Sequence, residues 1–332
     1  MNYIGSKHKL SGFIKKSIED TAGNIKNSIL CDMFAGTGSI ARVFKGSVKK
    51  VIANDVEHYS YTLNRNYIGN ITAFDYQAML DKLNSIKGIN GFIFRHYCQG
   101  GGYGRMYFSD ENGRKIDAIR LAIENWKNAG KIKDDEYYFL IASLLESADK
   151  VANTASVYGA FLKKIKKTAQ KNLVLSPAYF ETSSHASEVY QEDANRLIEK
   201  ISGDILYLDP PYNNRHYGAN YHLLNTIAYY DDFVPKGKTG LRDYFKSPYC
   251  MKALVRNALD ELIKKARFKY IFLSYNNEGL LDQETIKGIF SKYGRYSFKE
   301  KKYQRFKADK DENREHKAIE TYEHLHILEK QL

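Results

Sequence analysis

The sequence has few cysteines and no long apolar run, and both scarcities restrict its class. Its 332 residues include three cysteines, Cys31, Cys98 and Cys250, which are scattered without the spacing of a zinc or redox motif. No stretch approaches the roughly 20 apolar residues of a membrane-spanning helix, and the start at Met1 lacks the apolar core of a signal peptide. We therefore expect a cytoplasmic protein without a metal site.

Charge of one sign is in excess. The formal net charge is +12, while hydrophobic content of 43% and charged content of 27% are those of a globular protein. A basic excess favours a polyanionic partner, because each phosphate contact releases condensed counterions. A generally solubilising surface would give the same charge, so charge alone does not identify a nucleic acid.

The order of predicted elements indicates an interrupted α/β sheet. Short apolar runs typical of buried strands occur at 28–33, 51–53, 204–208 and 270–275, and helical periodicity occurs at 9–20, 219–231 and 250–266. Residues 296–302 and 324–329 alternate as an antiparallel ribbon does. Helical patterns at 114–129 and 134–149, with a basic helix or helix-loop at 157–170, lie between the two parts. We predict a Rossmann-like α/β domain of residues 1–84 and 188–332, interrupted by a mostly helical insert of residues 85–187.

The tetrad Asp209-Pro210-Pro211-Tyr212 directly follows the run that ends at Leu208. Open α/β sheets bind ligands at the carboxyl ends of their strands. An exocyclic amine of a nucleobase is a poor nucleophile that must be held rigidly. The Asp209 carboxylate and the Pro210 carbonyl can accept its two N–H groups, and the Tyr212 ring can stack on the base. A strand that stops at a Pro-Pro turn is the plain structural alternative.

A glycine-rich turn, Phe34-Ala35-Gly36-Thr37-Gly38, follows the first strand, and Asp55 closes the second. Glycine lets the backbone turn tightly against a ligand, and an acid at Asp55 can bind the ribose hydroxyls of an adenosine. The same pattern matches a relaxed NAD fingerprint. Asp32, just before the turn, would repel a pyrophosphate but attract the amino group of S-adenosylmethionine. Together with the tetrad, Asp32 favours S-adenosylmethionine as the cofactor.

These motifs resemble those of the Dam-like, alpha-group N6-adenine DNA methyltransferases, whose order is cofactor region, target-recognition domain and catalytic region. The segment from Asn2 to Lys7 is similar to the family's first motif, which implies that Tyr3 and Lys7 lie at the cofactor. The resemblance also assigns Asn54 beside Asp55 to the cofactor site. In Gln191-Glu192-Asp193-Ala194 it assigns Asp193 to the cofactor's adenine.

The resemblance implies a sequence-specific adenine-N6 methyltransferase that flips its target base out of duplex DNA and has a cognate restriction endonuclease as a possible partner. Three basic segments are candidate DNA contacts. They supply the candidate DNA-binding residues, which are Arg105, Lys163, Lys164, Lys166, Lys167, Lys236, Lys238 and Arg242. Four alternatives stay open: an N4-cytosine methyltransferase, an RNA adenine methylase, an NAD-dependent oxidoreductase and a non-catalytic DNA-binding protein.

Overall fold

The computed structural model describes residues 7–70, 72–183, 185–303 and 321–331. Backbone packing divides the chain into two compact units. The sheet unit takes its described residues from 7–64, 183–216 and 245–331, and the helical unit takes them from 65–182 and 217–244. The helical unit thus begins earlier than residue 85 and includes a second segment, which follows the Asp209 tetrad in the sequence.

The sheet unit contains a seven-stranded mixed sheet. The strands are β1 (Ile29–Asp32), β2 (Lys50–Asn54), β3 (Ala186–Tyr190), β4 (Gly203–Leu208), β5 (Phe268–Asn276), β6 (Gly294–Tyr303) and β7 (Thr321–Lys330). Their order is β3-β2-β1-β4-β5-β7-β6. The five strands β1 to β5 are mutually parallel, and β7 is antiparallel to both of its neighbours, β5 and β6. The Rossmann-like α/β fold and the terminal antiparallel ribbon are confirmed.

Register brings the carboxyl ends of three strands to one edge. Asp32 of β1 lies beside Ala53 of β2 and Tyr207 of β4. The chain leaves β1 toward β2 on one side and returns through β4 on the other, so the strand order reverses between β1 and β4. Such a switch point opens a crevice at the strand ends, where doubly wound sheets bind ligands.

Both faces of this sheet are covered, as a parallel sheet requires. One face, with Leu206, Leu208 and Ile271, packs in a core that includes residues of the helices at 194–197, 255–265 and 283–290. Residues of the opposite face, such as Ile205 and Phe272, are also buried. The helices of this unit are α1 (Ser11–Ala22), α2 (Ala41–Phe44), α3 (His58–Asn64), α8 (Ala194–Leu197), α11 (Val255–Lys265) and α12 (Gln283–Phe290).

The helical unit is built around two long helices. Its helices are α4 (Gln77–Ser85), α5 (Phe92–Tyr97), α6 (Asp110–Asn128), α7 (Asp134–Val151), α9 (Tyr217–Asn220) and α10 (His222–Tyr229). At the start of α6 the Ser109 side chain accepts the Asn112 N–H, which satisfies one of the amides that a helix leaves unpaired. Buried apolar residues such as Ile119 and Leu144 form its core.

The prediction of a helix or helix-loop over 157–170 is wrong for the helix, since only turns and bends occur there. The side chain of Asn153 explains part of this, because it donates to the carbonyls of Met106 and Leu162 and accepts the N–H of Lys166. These tertiary hydrogen bonds replace those of a helix. Strand β3 is an element that the sequence pattern did not reveal.

Candidate active site

The glycine turn after β1 is held by its neighbours in the sheet unit. Gly36 and Gly38 have φ of 52° and 72°, which side chains other than glycine disfavour. The Gly36 N–H donates to Asp55 Oδ2 at 2.8 Å, and the Gly36 carbonyl accepts from Asn64 Nδ2 at 3.0 Å. The predicted residues Gly36 and Asp55 are therefore brought together, and Asp55 also fixes the shape of the turn.

Asp32 is buried at the end of β1, with 1% of its surface exposed. Its Oδ2 accepts the Ala41 N–H at 3.1 Å, while its Oδ1 has no hydrogen-bond partner among the residues that the structure describes. Burial raises the pKa of Asp32 to about 8, and the carboxylate of Asp209 adds to the rise. A buried carboxyl oxygen without a donor is suited to receive a cationic ligand group.

The Asn54 side chain forms hydrogen bonds with the backbone of neighbouring segments, whereas the resemblance implied a contact with the cofactor. Its amide nitrogen donates to the carbonyls of Met33 and Glu192, and its oxygen accepts the Glu192 N–H. These bonds occupy both ends of a buried amide, so Asn54 joins the ends of β1 and β2 to the segment before α8. Asp193 caps α8 through the Arg196 N–H and is half-buried.

The remaining predicted cofactor residues line the same turn, except for one. Phe34 is half-buried, with its ring edge-on to Tyr249 at 5.0 Å between centroids. The Ala35 N–H donates to the Asn54 carbonyl, and Thr37 Oγ1 lies 3.4 Å from Ser39 Oγ. Tyr3 lies outside the described residues.

The Asp209 tetrad lies beside a buried lysine that contacts two carboxylates. Lys7 Nζ lies 3.0 Å from Asp209 Oδ1 and 3.1 Å from Glu323 Oε1. It also lies 5.8 Å from the centre of the Tyr212 ring, which packs edge-on against Tyr275. Lys7 is 6% exposed and Glu323 is 1% exposed, so water screens these charges little.

Pro210 is buried, and Pro211 and Tyr212 are half-buried. The backbone carbonyl of Tyr212 accepts the Leu280 N–H, which ties the end of the tetrad to the segment after β5. The tetrad is thus held at both ends, by Lys7 at Asp209 and by Leu280 at Tyr212. A rigid loop of this kind is what a planar base needs for alignment.

Burial dominates the ionisation of this cluster. Burial alone would lower the pKa of Lys7, but the carboxylates of Asp209 and Glu323 outweigh it, and the pKa lies well above its ordinary value. Burial raises the pKa of Asp209 to about 6, the Lys7 ammonium opposes the rise, and the Glu323 carboxylate adds to it. Asp209 is therefore mostly ionised at neutral pH and can accept a hydrogen bond there.

The chain also matches proteins of known kind. A sequence model of the family described as D12 class N6 adenine-specific DNA methyltransferase matches residues 3–289. That match covers most of the chain and includes the glycine turn and the tetrad. The chain belongs to this family of DNA methyltransferases. Membership decides the substrate and the reaction in favour of the N6 amine of adenine in DNA, against the N4-cytosine, RNA, oxidoreductase and non-catalytic alternatives.

Three relatives are similar to this methyltransferase, and two of them match it over nearly their whole length. The type II methyltransferase M.NlaIII of Neisseria lactamica is 59% identical over 332 residues, covering 99% of each chain. The type II methyltransferase M.CviAII of Paramecium bursaria Chlorella virus 1 is 37% identical over 312 residues, covering 93% of each. The type II methyltransferase M.FokI of Planomicrobium okeanokoites is 37% identical over 350 residues and covers all of this chain, which spans 53% of that longer protein.

Arg105 differs from the expected DNA contact. Its side chain is 6% exposed, and its guanidinium donates to the backbone carbonyls of His96, Gly237 and Lys238 at 3.0 to 3.2 Å. It therefore joins the loop of residues 98–106, which contains Arg105 itself, to the loop that contains Lys236 and Lys238. A buried guanidinium with these bonds is a structural group, and we withdraw Arg105 from the candidate phosphate contacts.

The other basic candidates divide by exposure. Arg242 is 11% exposed and forms two hydrogen bonds with the Asp231 carboxylate, and Lys166 Nζ donates to the Thr154 carbonyl. Both are committed to the fold of the helical unit. The exposed candidates are Lys163, Lys164, Lys167, Lys236 and Lys238. Lys236 pairs with Asp243, but both side chains are more than 60% exposed, so this pair is weak.

Sequence reasoning missed Glu323 as a member of the cluster, although a signal exists. In β7 the buried Glu323 lies on the same face of the strand as the buried Leu325 and Ile327, since successive side chains of a strand point to opposite faces. A carboxylate at an inward position of an apolar pattern indicates a buried polar partner.

Among the described residues, no group of three or more His, Cys, Asp or Glu side chains could hold a metal ion. Nor is any helix there long and apolar enough to cross a membrane.

Proposed function

We propose that this chain is the modification methyltransferase of a type II restriction-modification system, acting with S-adenosylmethionine on one specific sequence in duplex DNA. The observation that carries the proposal is the tetrad at the end of β4, with the half-buried Asp209 paired to the buried Lys7 and beside the Asp32 carboxyl. Relatives named as type II methyltransferases support the modification role. A cognate restriction endonuclease and a place in the cytoplasm, where such DNA lies, belong to the same proposal.

The turn after β1 fits S-adenosylmethionine by its chemistry. The unpartnered Asp32 Oδ1 is suited to the ligand's amino group, and the Asp55 carboxylate to its ribose hydroxyls. Asp193 and Phe34 are the candidates for its adenine. This ligand supplies a methyl group on a positively charged sulfur, which is already an activated leaving group.

The tetrad would position the target adenine. The base must leave the stack, at a cost of a few kcal/mol, on the order of what stacking in a pocket returns. Asp209 and the Pro210 carbonyl would accept the two N–H groups of the N6 amine, and Tyr212 would stack on the ring. The nitrogen lone pair is thereby aimed at the methyl group, so that positioning and electrostatics supply most of the rate enhancement.

Binding of S-adenosylmethionine is expected to depend on the ionisation of Asp32. Because the pKa of Asp32 is about 8, it is mostly protonated at lower pH, and an ammonium ligand draws on the small ionised fraction. Affinity should therefore rise about tenfold between about pH 6 and pH 7, where the ligand's own amino group stays protonated. Calorimetric titration without DNA measures this.

Asp32→Asn is the matched variant, since the ligand titrates identically with both proteins. It should bind more weakly and with nearly constant affinity over the same pH range. A wild-type affinity as constant as that of the variant would contradict the assignment of Asp32.

DNA recognition is proposed for the helical unit. Its exposed lysines, Lys163, Lys164, Lys167 and Lys171, lie close together in the sequence, in a segment without helix or strand. Lys236 and Lys238 lie in the second exposed loop, which Arg105 holds. Phosphate contacts from such lysines would position duplex DNA without reading its sequence.

The proposed function is tested by incubating the purified protein with unmethylated genomic DNA and S-adenosylmethionine. We expect N6-methyladenine at one short recurring motif, read by single-molecule sequencing, which would also supply the recognition sequence. Modified adenine scattered without a motif would contradict a type II role. Absence of modified adenine would contradict the activity under these conditions.

A further inference from the structure

One buried ammonium is shared by two carboxylates beside the tetrad. Lys7 Nζ is almost equidistant from Asp209 Oδ1 and Glu323 Oε1, at 3.0 and 3.1 Å. One carboxylate is enough to pair a lysine. A second ionised carboxylate in the same buried volume costs several kcal/mol of desolvation and repels the first. A purely structural ion pair therefore does not require Glu323.

Glu323 is held in place by strand pairing and by a hydroxyl. It lies opposite Asn276 in the antiparallel pair of β5 and β7, and Ser274 Oγ donates to its Oε1 at 2.5 Å. Its Oε2 is buried and has no hydrogen-bond partner among the residues the structure describes. Strand β7 lies beyond residue 289, the last residue that the family model matches.

The charge of the cluster suits the reaction. Counted at their formal charges, one lysine and two carboxylates leave one net negative charge beside the tetrad. During methyl transfer the bond from N6 to the methyl carbon would form while the bond from that carbon to the sulfonium sulfur breaks, and the electron pair of the broken bond would leave with the neutral thioether. Positive charge would then develop on the nitrogen until one of its protons leaves to solvent. A fixed negative charge that is shielded from water stabilises such a transition state more than it stabilises the neutral amine.

We propose that Glu323 is a positioning residue for methyl transfer, which holds Lys7 away from full pairing with Asp209 and gives the cluster its net negative charge. Without Glu323, the ammonium would pair with Asp209 alone and form a neutral unit. Asp209 would then be a weaker hydrogen-bond acceptor for the amine, and the developing positive charge would lack compensation. This inference rests on the proposed role of Asp209.

Titratable groups from several elements face Asp209. Lys7 and Glu323 from β7 shift its pKa. The Asp209 carboxylate in turn adds to the rise that burial causes in the pKa of Asp32 from β1 and of Tyr207 at the end of β4. The Lys7 ammonium lowers the pKa of Asp209 and the Glu323 carboxylate raises it. Removing one or the other should therefore move the pKa of Asp209 in opposite directions.

The test is the single-turnover rate of methyl transfer as a function of pH, measured on the full chain with duplex DNA that contains its site. Glu323→Gln should lower the plateau rate about tenfold, a loss of about 1.4 kcal/mol, with binding of DNA and cofactor changed less than about twofold. Its acidic limb should move to lower pH. The acidic limb of Lys7→Gln should move to higher pH.

Glu329→Gln is the matched control, because Glu329 lies on the same strand and pairs with the exposed Arg295. It should keep the wild-type profile. Unchanged rate and acidic limb in folded Glu323→Gln, or a fall in thermal stability alone, would overturn the inference. If that variant does not fold, Ser274→Ala removes the hydroxyl that donates to Glu323 and leaves the carboxylate itself in place. A rate about threefold lower would then support the inference, and an unchanged rate would overturn it.

The activity of the wild-type protein distinguishes a failure of the proposed function from a failure of the role of Glu323. If the wild-type protein transferred no methyl group, the proposed function would fail. If it methylated adenine and Asp209→Ala did not, while Glu323→Gln matched the wild type, only the role of Glu323 would fail.

Discussion

Replacement of Asp209 by alanine is expected to reduce the rate of methyl transfer by about 10³-fold or more, because positioning and charge at the amine are lost together. The carboxylate lies at the carboxyl end of β4, is held by Lys7, and is mostly ionised at neutral pH. No other described acid occupies an equivalent place in the tetrad. Single-turnover assays at saturating DNA and cofactor measure the loss.

Asp209→Asn distinguishes shape from charge. It keeps a carbonyl acceptor of nearly the same size but removes the negative charge, so we expect a rate between those of the alanine variant and the wild type. Cofactor affinity should stay within a few-fold in both variants. Asp20→Asn, which affects an exposed pair with Lys299, serves as the control and should leave the rate unchanged. A near-normal rate in Asp209→Ala would contradict the mechanism.

The second large effect is expected from the exposed lysines of the helical unit. Substitution of Lys163, Lys164, Lys167 and Lys171 by glutamine should weaken DNA binding about 10²-fold at about 0.2 M salt. If all four contact phosphates, the slope of log affinity against log salt should become shallower by about 3 to 4. Sequence preference should be largely retained, since phosphate contacts position the duplex without reading its bases. Fluorescence anisotropy over a salt series measures both quantities.

A second set of four lysines controls for the change in net charge. Lys26, Lys49, Lys264 and Lys269 are exposed and lie next to the starts of the parallel strands, at the sheet edge opposite Asp209. Their substitution by glutamine removes the same charge. It should change the slope by much less than the first set. Equal slopes for the two sets would show that net charge, and not a contact surface, governs binding.

The sequence predicted those parts of the fold that depend on local pattern. The strand before Asp209 and the helices α6 and α7 were found because apolar periodicity and turn residues are properties of neighbouring positions. The predicted helical character of residues 157–170 failed, because Asn153 supplies tertiary hydrogen bonds to this segment that no local pattern records. Strand β3 was missed since it is short and only partly buried.

The predicted site divides in the same way. Asp32, Gly36, Asp55 and Asp209 each lie at the end of a strand or within a few residues after it, so the parallel strands place them at one edge of the sheet. The roles of Asn54 and Arg105 were not visible, because a polar side chain looks the same in sequence whether it contacts a ligand or a backbone carbonyl. The structure distinguishes the two by burial and by saturated hydrogen bonds.

The sequence by itself determined the class of this protein, through the glycine turn after β1, Asp55 after β2 and the tetrad after β4. Each motif consists of neighbouring residues, so its residue types and spacing can be recognised in the sequence without the fold. Only the tertiary structure decided which charges meet. The Lys7 ammonium contacts the carboxylates of Asp209 and Glu323, and the Ser274 hydroxyl donates to Glu323. These four residues come from distant segments of the chain, which parallel and antiparallel strand pairing brings to one edge of the sheet. Contacts of that kind depend on register and burial, which a single sequence does not display.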